Sequence, residues 1–284
     1  ENGQFTLWSS TQSVFVQRFW LARTLGMPES KVRVIKPTVG GGFGGKLDFF
    51  SHEFCSCLLA MKTGRPVKMV LSRKESFIAT RTRHPMIVYL KTAVAKDGTI
   101  LAKECTNVLD GGAYGGAGVA ATNLSLIWHT FPYKIPNIKL HAYRVYTNNP
   151  VSGPMRGYGS CQIHFASDSH MDEIAEALGM DALDLRLKNA MTPNYTSPGG
   201  LEITSCGYSE TLYEAAKRIG WDKRKDLPRS RGVGLGGSGF VSGTAFAILN
   251  TPKNYSSSAI VKLHREGYAT VYTGACDIGQ GSDT

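Results

Sequence analysis

The residues best suited to chemistry form a glycine-rich run, GGGFGGK, at residues 40–46. Glycine tolerates positive φ and lets a ligand lie directly against the main chain. Main-chain N–H groups that stay unpaired between a strand and a helix suit an oxyanion, a phosphate or a metal-oxo group. The run therefore predicts a cofactor-binding loop in which Phe43 is the one bulky side chain.

Two later segments place polar side chains among glycines. Arg156 stands in GPMRGYG at residues 153–159, a segment too irregular for a helix face, and its planar guanidinium suits an oxyanion. An ordinary surface arginine is the alternative. Tyr158 is a candidate wall for a flat aromatic substrate, and Gln280 in DIGQG at residues 277–281 could donate to a phosphate.

The first run is compatible with other kinds of site. Gly40, Gly42 and Gly45 fit the spacing of a dinucleotide-binding fingerprint, and the run also fits a Walker A motif. Leu47, however, stands where a nucleotide site needs the Mg²⁺-ligating Ser or Thr. A glycine loop that only permits close packing is the remaining alternative.

The elements around the first run indicate an α/β crossover unit. Alternation predicts a strand from Lys31 to Pro37, helical spacing predicts a helix from Leu47 to Lys62, and a second strand is predicted from Pro66 to Ser72. An earlier helix is predicted from Val14 to Leu25, with Gly26 as its terminating glycine.

The rest of the chain alternates between strands and helices, which predicts an α+β fold with mixed sheets and helices packed on them. The predicted strands are 86–95 and 100–109, joined as a hairpin, then 140–146, 258–264 and 268–273, and the predicted helices cover 163–190, with a break at 179–181, and 208–220. Residues 176–181 echo residues 23–28, which suggests two similar α/β sub-units. We divide the domain at residue 150, into a first part at 1–150 and a second at 151–284.

A further glycine-rich segment, DGGAYGGAG, occupies residues 110–118. Its composition is typical of a flexible loop. The segment would also allow the backbone to lie beside a substrate channel, and both interpretations stay open.

Composition excludes several classes of function. The 284 residues carry a formal charge of +10, but the basic stretch from Lys217 to Arg231 is typical of an exposed connector and no nucleic-acid-binding pattern accompanies it. The six cysteines form no C-x-x-C pair, which argues against an iron–sulfur or zinc site in this chain. No apolar run is long enough to span a bilayer, and a cytoplasmic location is expected. We interpret both ends as cuts within a longer polypeptide.

The chain resembles the molybdenum hydroxylases, the family of xanthine dehydrogenase and aldehyde oxidase. GGGFGGK is the signature of that family, and the resemblance extends to other segments in the same order. These are STQ at 10–12, RHP at 83–85, YKIPN at 133–137, MRGYG at 155–159 and DIGQG at 277–281.

The resemblance implies a molybdenum–molybdopterin cofactor, with its cytosine dinucleotide form as an alternative, and iron–sulfur clusters and FAD on partner domains or subunits. Such enzymes hydroxylate a small molecule with oxygen from water. The resemblance places the Gln12 amide near an oxygen ligand of the metal. The residues implied in cofactor binding are Gln12, Gly42, Phe43, Gly44, Arg156, Gly279 and Gln280. None of these is a metal ligand, and the catalytic glutamate of the family is expected downstream of this sequence, so the chain alone should be inactive.

The resemblance also bears on the substrate. Xanthine enzymes carry a glutamate after the GGGFGGK lysine and an arginine upstream of YKIPN, whereas this chain has Leu47 and Leu124 there. Losing both polar anchors would leave the oxygens of a purine unpaired, which disfavours xanthine. Carbon monoxide is disfavoured because no cysteine precedes Arg156 in its loop. An aldehyde, an aromatic N-heterocycle such as nicotinate, or a thioester of the 4-hydroxybenzoyl-CoA type remains.

Overall fold

The computed structural model describes residues 3–240 and 258–282. The fold is α+β, as predicted, and combines small sheets with helices packed against them. That two similar sub-units build it, and that the division falls at residue 150, stay predictions.

The first part of the fold is a parallel strand pair covered by helices. Strands β1 (Phe5–Trp8) and β2 (Val32–Ile35) pair in parallel, and helix α1 (Val14–Leu25) connects them. Helix α2 (Ser51–Thr63) follows. Leu21 and Ala22 of α1 share a buried cluster with Val32 and with Cys57 of α2. Burial of these apolar side chains fixes α1 and α2 beside the strand pair that leads into the glycine run.

The second part is a three-stranded sheet with helices on one face. Strands β3 (Met86–Val94) and β4 (Ile100–Gly112) are antiparallel, and β4 pairs in parallel with β5 (Ile138–Tyr146). Helix α4 (Gly118–Trp128) is the crossover between β4 and β5, and the short helix α3 (Arg73–Ala79) precedes the sheet. Inward residues of the strands alternate with outward ones, as expected for a sheet with one covered face.

The remaining elements pack on the sheet or extend from it. They are helices α5 (Ser160–Leu178), α6 (Ala182–Asn189) and α7 (Tyr208–Ile219), the short pair β6 (Tyr195–Thr196) and β7 (Glu202–Ile203), and the hairpin of β8 (Ala259–Leu263) and β9 (Ala269–Thr273). Among the described residues, no helix has the length and apolar character needed to cross a membrane.

The predicted crossover after the glycine run is wrong. The helix begins at Ser51 rather than at Leu47, because residues 46–50 form a turn and the Glu53 carboxylate accepts the Phe50 N–H at 2.8 Å, which caps the helix there. Residues 66–72 form no strand and lead into α3. The parallel pair is instead β1 and β2, which come before the run.

Candidate functional site

The phenylalanine loop, residues 40–46, is a tight turn whose backbone requires glycine at two positions. Gly41 and Gly44 have φ values of +101° and +86°, and Phe43 also adopts positive φ, at +52°. The Gly45 N–H donates to the Gly42 carbonyl at 2.9 Å. A non-glycine residue at positive φ is uncommon, and here it points the Phe43 ring outward, 61% exposed.

Gln12 holds the phenylalanine loop in this shape. Its side-chain Oε1 accepts the N–H groups of Gly44 at 2.8 Å and Lys46 at 3.1 Å, and its own N–H donates to the Lys46 carbonyl at 2.9 Å. Gly42 must be glycine because an added Cβ would lie 2.5 Å from the Gln12 Cδ. The Gln12 Nε2 donates no hydrogen bond within the part of the chain that the structure describes, so one donor is left at the head of α1.

The arginine loop, residues 153–159, lies directly against the phenylalanine loop. The Arg156 N–H donates to the Phe43 carbonyl at 2.7 Å, and the Arg156 guanidinium lies 5.5 Å from the centroid of the Phe43 ring. Gly44 must be glycine for this approach, because an added Cβ would lie 2.9 Å from the Pro154 carbonyl carbon. No described carboxylate pairs with the Arg156 guanidinium, so its charge is available to a ligand.

The glutamine loop, residues 277–281, joins the same group. The Gly41 N–H donates to the Ile278 carbonyl at 2.6 Å, and Gly279, at φ +117°, approaches the Gly41 nitrogen so closely that an added Cβ would lie 3.3 Å from it. The Gln280 side chain bonds within its own loop: it accepts from the Ile278 N–H at 2.7 Å and donates to the Cys276 carbonyl at 3.0 Å. Gln280 therefore orders this loop in the present structure.

The three loops thus meet at one place although they are far apart in the sequence. Neither the Gly42 nor the Phe43 N–H donates a hydrogen bond inside the described ranges. Unpaired main-chain donors beside an unpaired guanidinium form an electropositive surface that suits an anionic or metal-oxo ligand.

The residues predicted to line a substrate pocket separate into two places. Leu124 of α4 is 2% exposed and belongs to a core cluster with Ile127, Trp128 and Ile163. Tyr158 packs on this cluster, and its carbonyl accepts the Trp128 indole N–H at 3.1 Å. Leu47 is half-buried in the turn after the phenylalanine loop. Substrate contact by these three residues stays a prediction.

The second glycine-rich segment accommodates two arginine side chains, which sequence reasoning missed. A Cβ on Gly111 would lie 2.7 Å from the Arg144 Cζ, and one on Gly116 would lie 2.5 Å from the Arg81 Nη2. The Arg144 Nη2 donates to the carbonyls of Gly111 at 2.7 Å and Ser152 at 3.2 Å. Guanidinium groups therefore fill the space that Gly111 and Gly116 leave, while the flexibility of the segment and its place beside a substrate channel stay predictions. The only signal in the sequence was the nearby cluster of arginines at residues 81 and 83.

Two histidines with strongly lowered pKa values lie in the core, outside the three loops. Burial lowers the pKa of His84 to about 4, and the neighbouring Arg144 charge adds to this effect. Burial also lowers the pKa of His129 to about 2, with a further contribution from Lys103. His129 bonds Asn107 at 2.9 Å across the interface between α4 and β4. Among the described residues no His, Cys, Asp and Glu side chains group to hold a metal ion.

A cavity of about 570 Å³ lies on the outer face of the three-stranded sheet, away from the three loops. It is open and lined by residues such as Lys91, Glu104 and Lys139, of which Lys139 and Glu104 form an exposed ion pair at 2.8 Å. Ligand sites are generally concave and mostly apolar. This cavity therefore contains none of the residues predicted to bind the cofactor or the substrate.

Comparison with known proteins relates the chain to molybdenum enzymes. A family model described as a molybdopterin cofactor-binding domain matches residues 1–190, and a second model with the same description matches residues 212–284. The chain is 35% identical over 296 aligned positions, 100% of its length, to a putative xanthine dehydrogenase molybdenum-binding subunit of Escherichia coli. It is 40% identical over 228 residues, 78% of its length, to the nicotinate dehydrogenase large molybdopterin subunit of Eubacterium barkeri.

Solved structures give the same relationship. The crystal structure of quinoline 2-oxidoreductase from Pseudomonas putida matches 98% of this chain with a TM-score of 0.87 at 29% identity, and the chain covers 37% of that structure. Of the two curated relatives, the chain spans 38% and 53% of the length.

Proposed function

The chain belongs to the molybdenum hydroxylase family, and from that premise we propose that it holds the molybdenum–molybdopterin cofactor of an oxidoreductase. One observation carries this proposal: the phenylalanine, arginine and glutamine loops meet, and the first two leave the Gly42 and Phe43 N–H groups and the Arg156 guanidinium available to a ligand. The whole protein would hydroxylate an aromatic N-heterocycle or an aldehyde with oxygen from water.

The residues present fit such a group. The cofactor is an anionic pterin with oxo ligands on its metal, so it needs hydrogen-bond donors and close access to the backbone. The Gly42 and Phe43 N–H groups are free to donate, the Gln12 Nε2 adds a third donor, and the Arg156 guanidinium supplies positive charge. The missing side chains at Gly42 and Gly44 let Gln12 and Pro154 pack against the loop that carries these donors.

Each loop would have a distinct task. The phenylalanine loop would bind oxygen ligands through its amides, and the exposed Phe43 ring would exclude water from one side. Arg156, held over that ring, would bind the anionic part of the cofactor through paired donors. Gly279 would let the glutamine loop approach, and Gln280 would exchange its present contacts for ones to the cofactor. The bound cofactor supplies the redox chemistry, while these residues orient it.

The substrate class rests on two kinds of support. Leu47 and Leu124 offer no polar partner for the oxygens of a purine, and both relatives named for non-purine N-heterocycles, nicotinate dehydrogenase and quinoline 2-oxidoreductase, match most of this chain. We place Leu47 and Tyr158 beside the substrate. Leu124 would shape the pocket indirectly, because it belongs to the core cluster on which Tyr158 packs.

Partners follow from the same assignment. The chain offers no described metal cluster of its own, so we assign electron transfer to iron–sulfur clusters and FAD on other domains or subunits. A cytosine dinucleotide form of the cofactor and a cytoplasmic location belong to the same proposal. The runner-up activity is reduction of an aromatic thioester of the 4-hydroxybenzoyl-CoA type at the same site.

A nucleotide-binding module or a non-catalytic scaffold is the rival from another class. The geometry favours neither. In a Walker-type site the helix follows the lysine directly, whereas here α2 begins only at Ser51 and the Lys46 N–H is already bonded to Gln12. A scaffold would have no use for the unpaired Gly42 and Phe43 N–H groups beside the Arg156 guanidinium.

The test uses the full-length protein that contains this chain. Elemental analysis should find about one molybdenum per copy, released pterin should be detectable by fluorescence, and nicotinate or quinoline turnover in ¹⁸O-water should give labelled product. Turnover of an aromatic CoA thioester without label incorporation would favour the runner-up. Protein that contains neither molybdenum nor pterin would overturn the proposal, whether or not it binds Mg-ATP. Tight binding of Mg-ATP would then favour the nucleotide-binding rival.

A further inference from the structure

Arg81 connects the end of the phenylalanine loop, the arginine loop and the second glycine-rich segment, although it lies outside them. It precedes β3, in the segment between α3 and the sheet. Its Nε donates to the Asp48 carboxylate at 2.7 Å, and the two side chains are only 12% and 11% exposed. A buried, directional ion pair of this kind fixes relative position more firmly than an exposed one.

Asp48 extends this contact to a second element. It lies just after the phenylalanine loop, and its other carboxylate oxygen accepts the Ala117 N–H at 3.2 Å, at the start of α4. One carboxylate thus ties the end of the phenylalanine loop to Arg81 and to the second glycine-rich segment.

Two glycines leave the room that the Arg81 side chain fills. A Cβ on Gly116 would lie 2.5 Å from the Arg81 Nη2, and a Cβ on Gly153 would lie 3.0 Å from the Arg81 Cδ. Gly116 belongs to the second glycine-rich segment and Gly153 begins the arginine loop. The Arg81 side chain therefore lies in a socket formed by Gly116 and Gly153, between the second glycine-rich segment and the arginine loop.

The residues after Arg81 bond the arginine loop directly. The Gly153 N–H donates to the Thr82 carbonyl at 3.0 Å, and the Arg83 Nη2 donates to the Arg156 carbonyl at 2.9 Å. Residues 81–83 therefore hold the arginine loop in place. Arg81 also holds the end of the phenylalanine loop, through Asp48.

We infer that Arg81 is a positioning residue that sets the distance between the phenylalanine and arginine loops, and so the fit of the cofactor between them. This inference rests on the proposed function and deepens it. Arg81 would not touch the cofactor; it acts through Asp48 and Gly153. Positioning groups behind a metal site typically change its affinity or activity about 10- to 100-fold, and small misplacements of reacting groups have effects of similar size.

The first experiment compares Arg81→Gln, Arg81→Lys and Asp48→Asn in the full-length protein, with Arg18→Gln as the matched control. Arg18 also pairs with a carboxylate, Glu29 at 3.1 Å, but on the exposed surface. We expect Arg81→Gln and Asp48→Asn to lose molybdenum on dialysis at least about tenfold faster than wild type. Arg81→Lys should be intermediate, because lysine keeps the charge but lacks the planar fork. The remaining loaded enzyme should show lowered kcat with KM nearly unchanged.

A second experiment keeps the inference testable if Arg81→Gln does not fold. Gly153→Ala should displace Arg81 and speed molybdenum loss about threefold or more, whereas Gly115→Ala, whose added Cβ would meet no atom within 4 Å, should match wild type. Equal effects of Gly153→Ala and Gly115→Ala, or behaviour of Arg81→Gln that matches Arg18→Gln, would overturn the inference.

Hydrogen exchange separates this inference from the proposed function. Amides of residues 41–46 should exchange faster in Arg81→Gln than in Arg18→Gln even in cofactor-free protein. If wild-type protein contains no molybdenum or pterin, the proposed function fails, but this difference in exchange would still support the positioning role. Loaded wild type with no difference between the two variants would leave the proposed function intact and refute the role of Arg81.

Discussion

The two glycine-rich segments, residues 40–46 and 110–118, have similar composition, but different groups occupy the space that their glycines leave. In the phenylalanine loop, the space at Gly42 and Gly44 is taken by the Gln12 side chain and by the backbone of Pro154, and main-chain donors at Gly42 and Phe43 face outward unpaired. In residues 110–118, the space at Gly111 and Gly116 is filled from within the protein by arginine side chains.

This difference shows that glycine content alone does not identify a ligand site. Glycine permits close approach by any group, and the group that approaches decides the function. A ligand can bind where donors are left over, as in the phenylalanine loop. Where guanidinium groups already fill the space and bond the carbonyls, as Arg144 does, the segment is structural.

Gly44→Ala should give the largest effect and break the phenylalanine loop. The added methyl meets the Pro154 backbone, and alanine is strained at φ +86°. We expect the full-length enzyme to lose about 100-fold or more in activity together with most of its molybdenum, measured by elemental analysis and steady-state assay.

Gly200→Ala is the matched control, because Gly200 has φ +77° but no atom within 4 Å of an added Cβ. It carries the backbone strain without the collision. Should both variants lose molybdenum equally, strain rather than the contact between loops would explain the effect, and the comparison would fail.

Gly111→Ala should have a smaller effect, on stability. Every close neighbour of the added Cβ belongs to the Arg144 side chain, so we expect a loss of about 1–3 kcal/mol in the free energy of unfolding. Urea denaturation of Gly111→Ala, Arg144→Ala and the double variant measures the coupling. The double variant should be less destabilised than the sum of the single ones, whereas strict additivity would show that Arg144 is not what Gly111 accommodates.

Acid should destabilise the second glycine-rich segment, residues 110–118, at a higher pH than the phenylalanine loop. This effect should be smaller than the effects of Gly44→Ala and Gly111→Ala. Neutral His84 accepts a hydrogen bond from the Arg144 Nε at 3.4 Å, and the pKa of His84 is lowered to about 4 from 6.5. Because the folded-state pKa is depressed, the contribution to stability is full above about pH 6.5 and is lost as the pH falls toward 4, on the order of 1 kcal/mol per pH unit.

Hydrogen exchange at pH 7 and pH 5, corrected for intrinsic rates, measures this prediction. Residues 110–118 should lose protection at pH 5 relative to the phenylalanine loop, and His84→Gln, which does not titrate, should abolish the difference. A loss of protection that is equal in both segments would contradict it.

Much of the local structure was predictable because it depends on short-range patterns. Helix α1 has the predicted bounds, and Gly26 terminates it in the left-handed conformation at φ +65°. The hairpin of β3 and β4 and the break between α5 and α6 were also predicted within a few residues. The wrong strand at residues 66–72 alternates suitably but has no partner strand, and pairing is a tertiary property.

The candidate site was predictable only through the family resemblance. Spacing gave no reason for Phe43, Arg156 and Gln280 to meet, since the contacts between their loops are main-chain bonds that leave no pattern in side-chain types. The arginine side chains in the second segment were equally hidden. Arg144 pairs with Leu109 in the sheet and reaches Gly111 at the irregularity of β4, and no local rule relates a glycine in one strand to an arginine in the next.

The free N–H groups of Gly42 and Phe43 have a consequence for how such a protein tolerates sequence change. Every amino acid except proline carries the same amide, so truncation of the Phe43 side chain leaves both donors in place and would under-report the importance of that position. Replacing the peptide bond by an ester, through semisynthesis or hydroxy-acid incorporation, deletes the donor and keeps the side chain. In such a binding surface, the main chain rather than the side chains recognises the ligand.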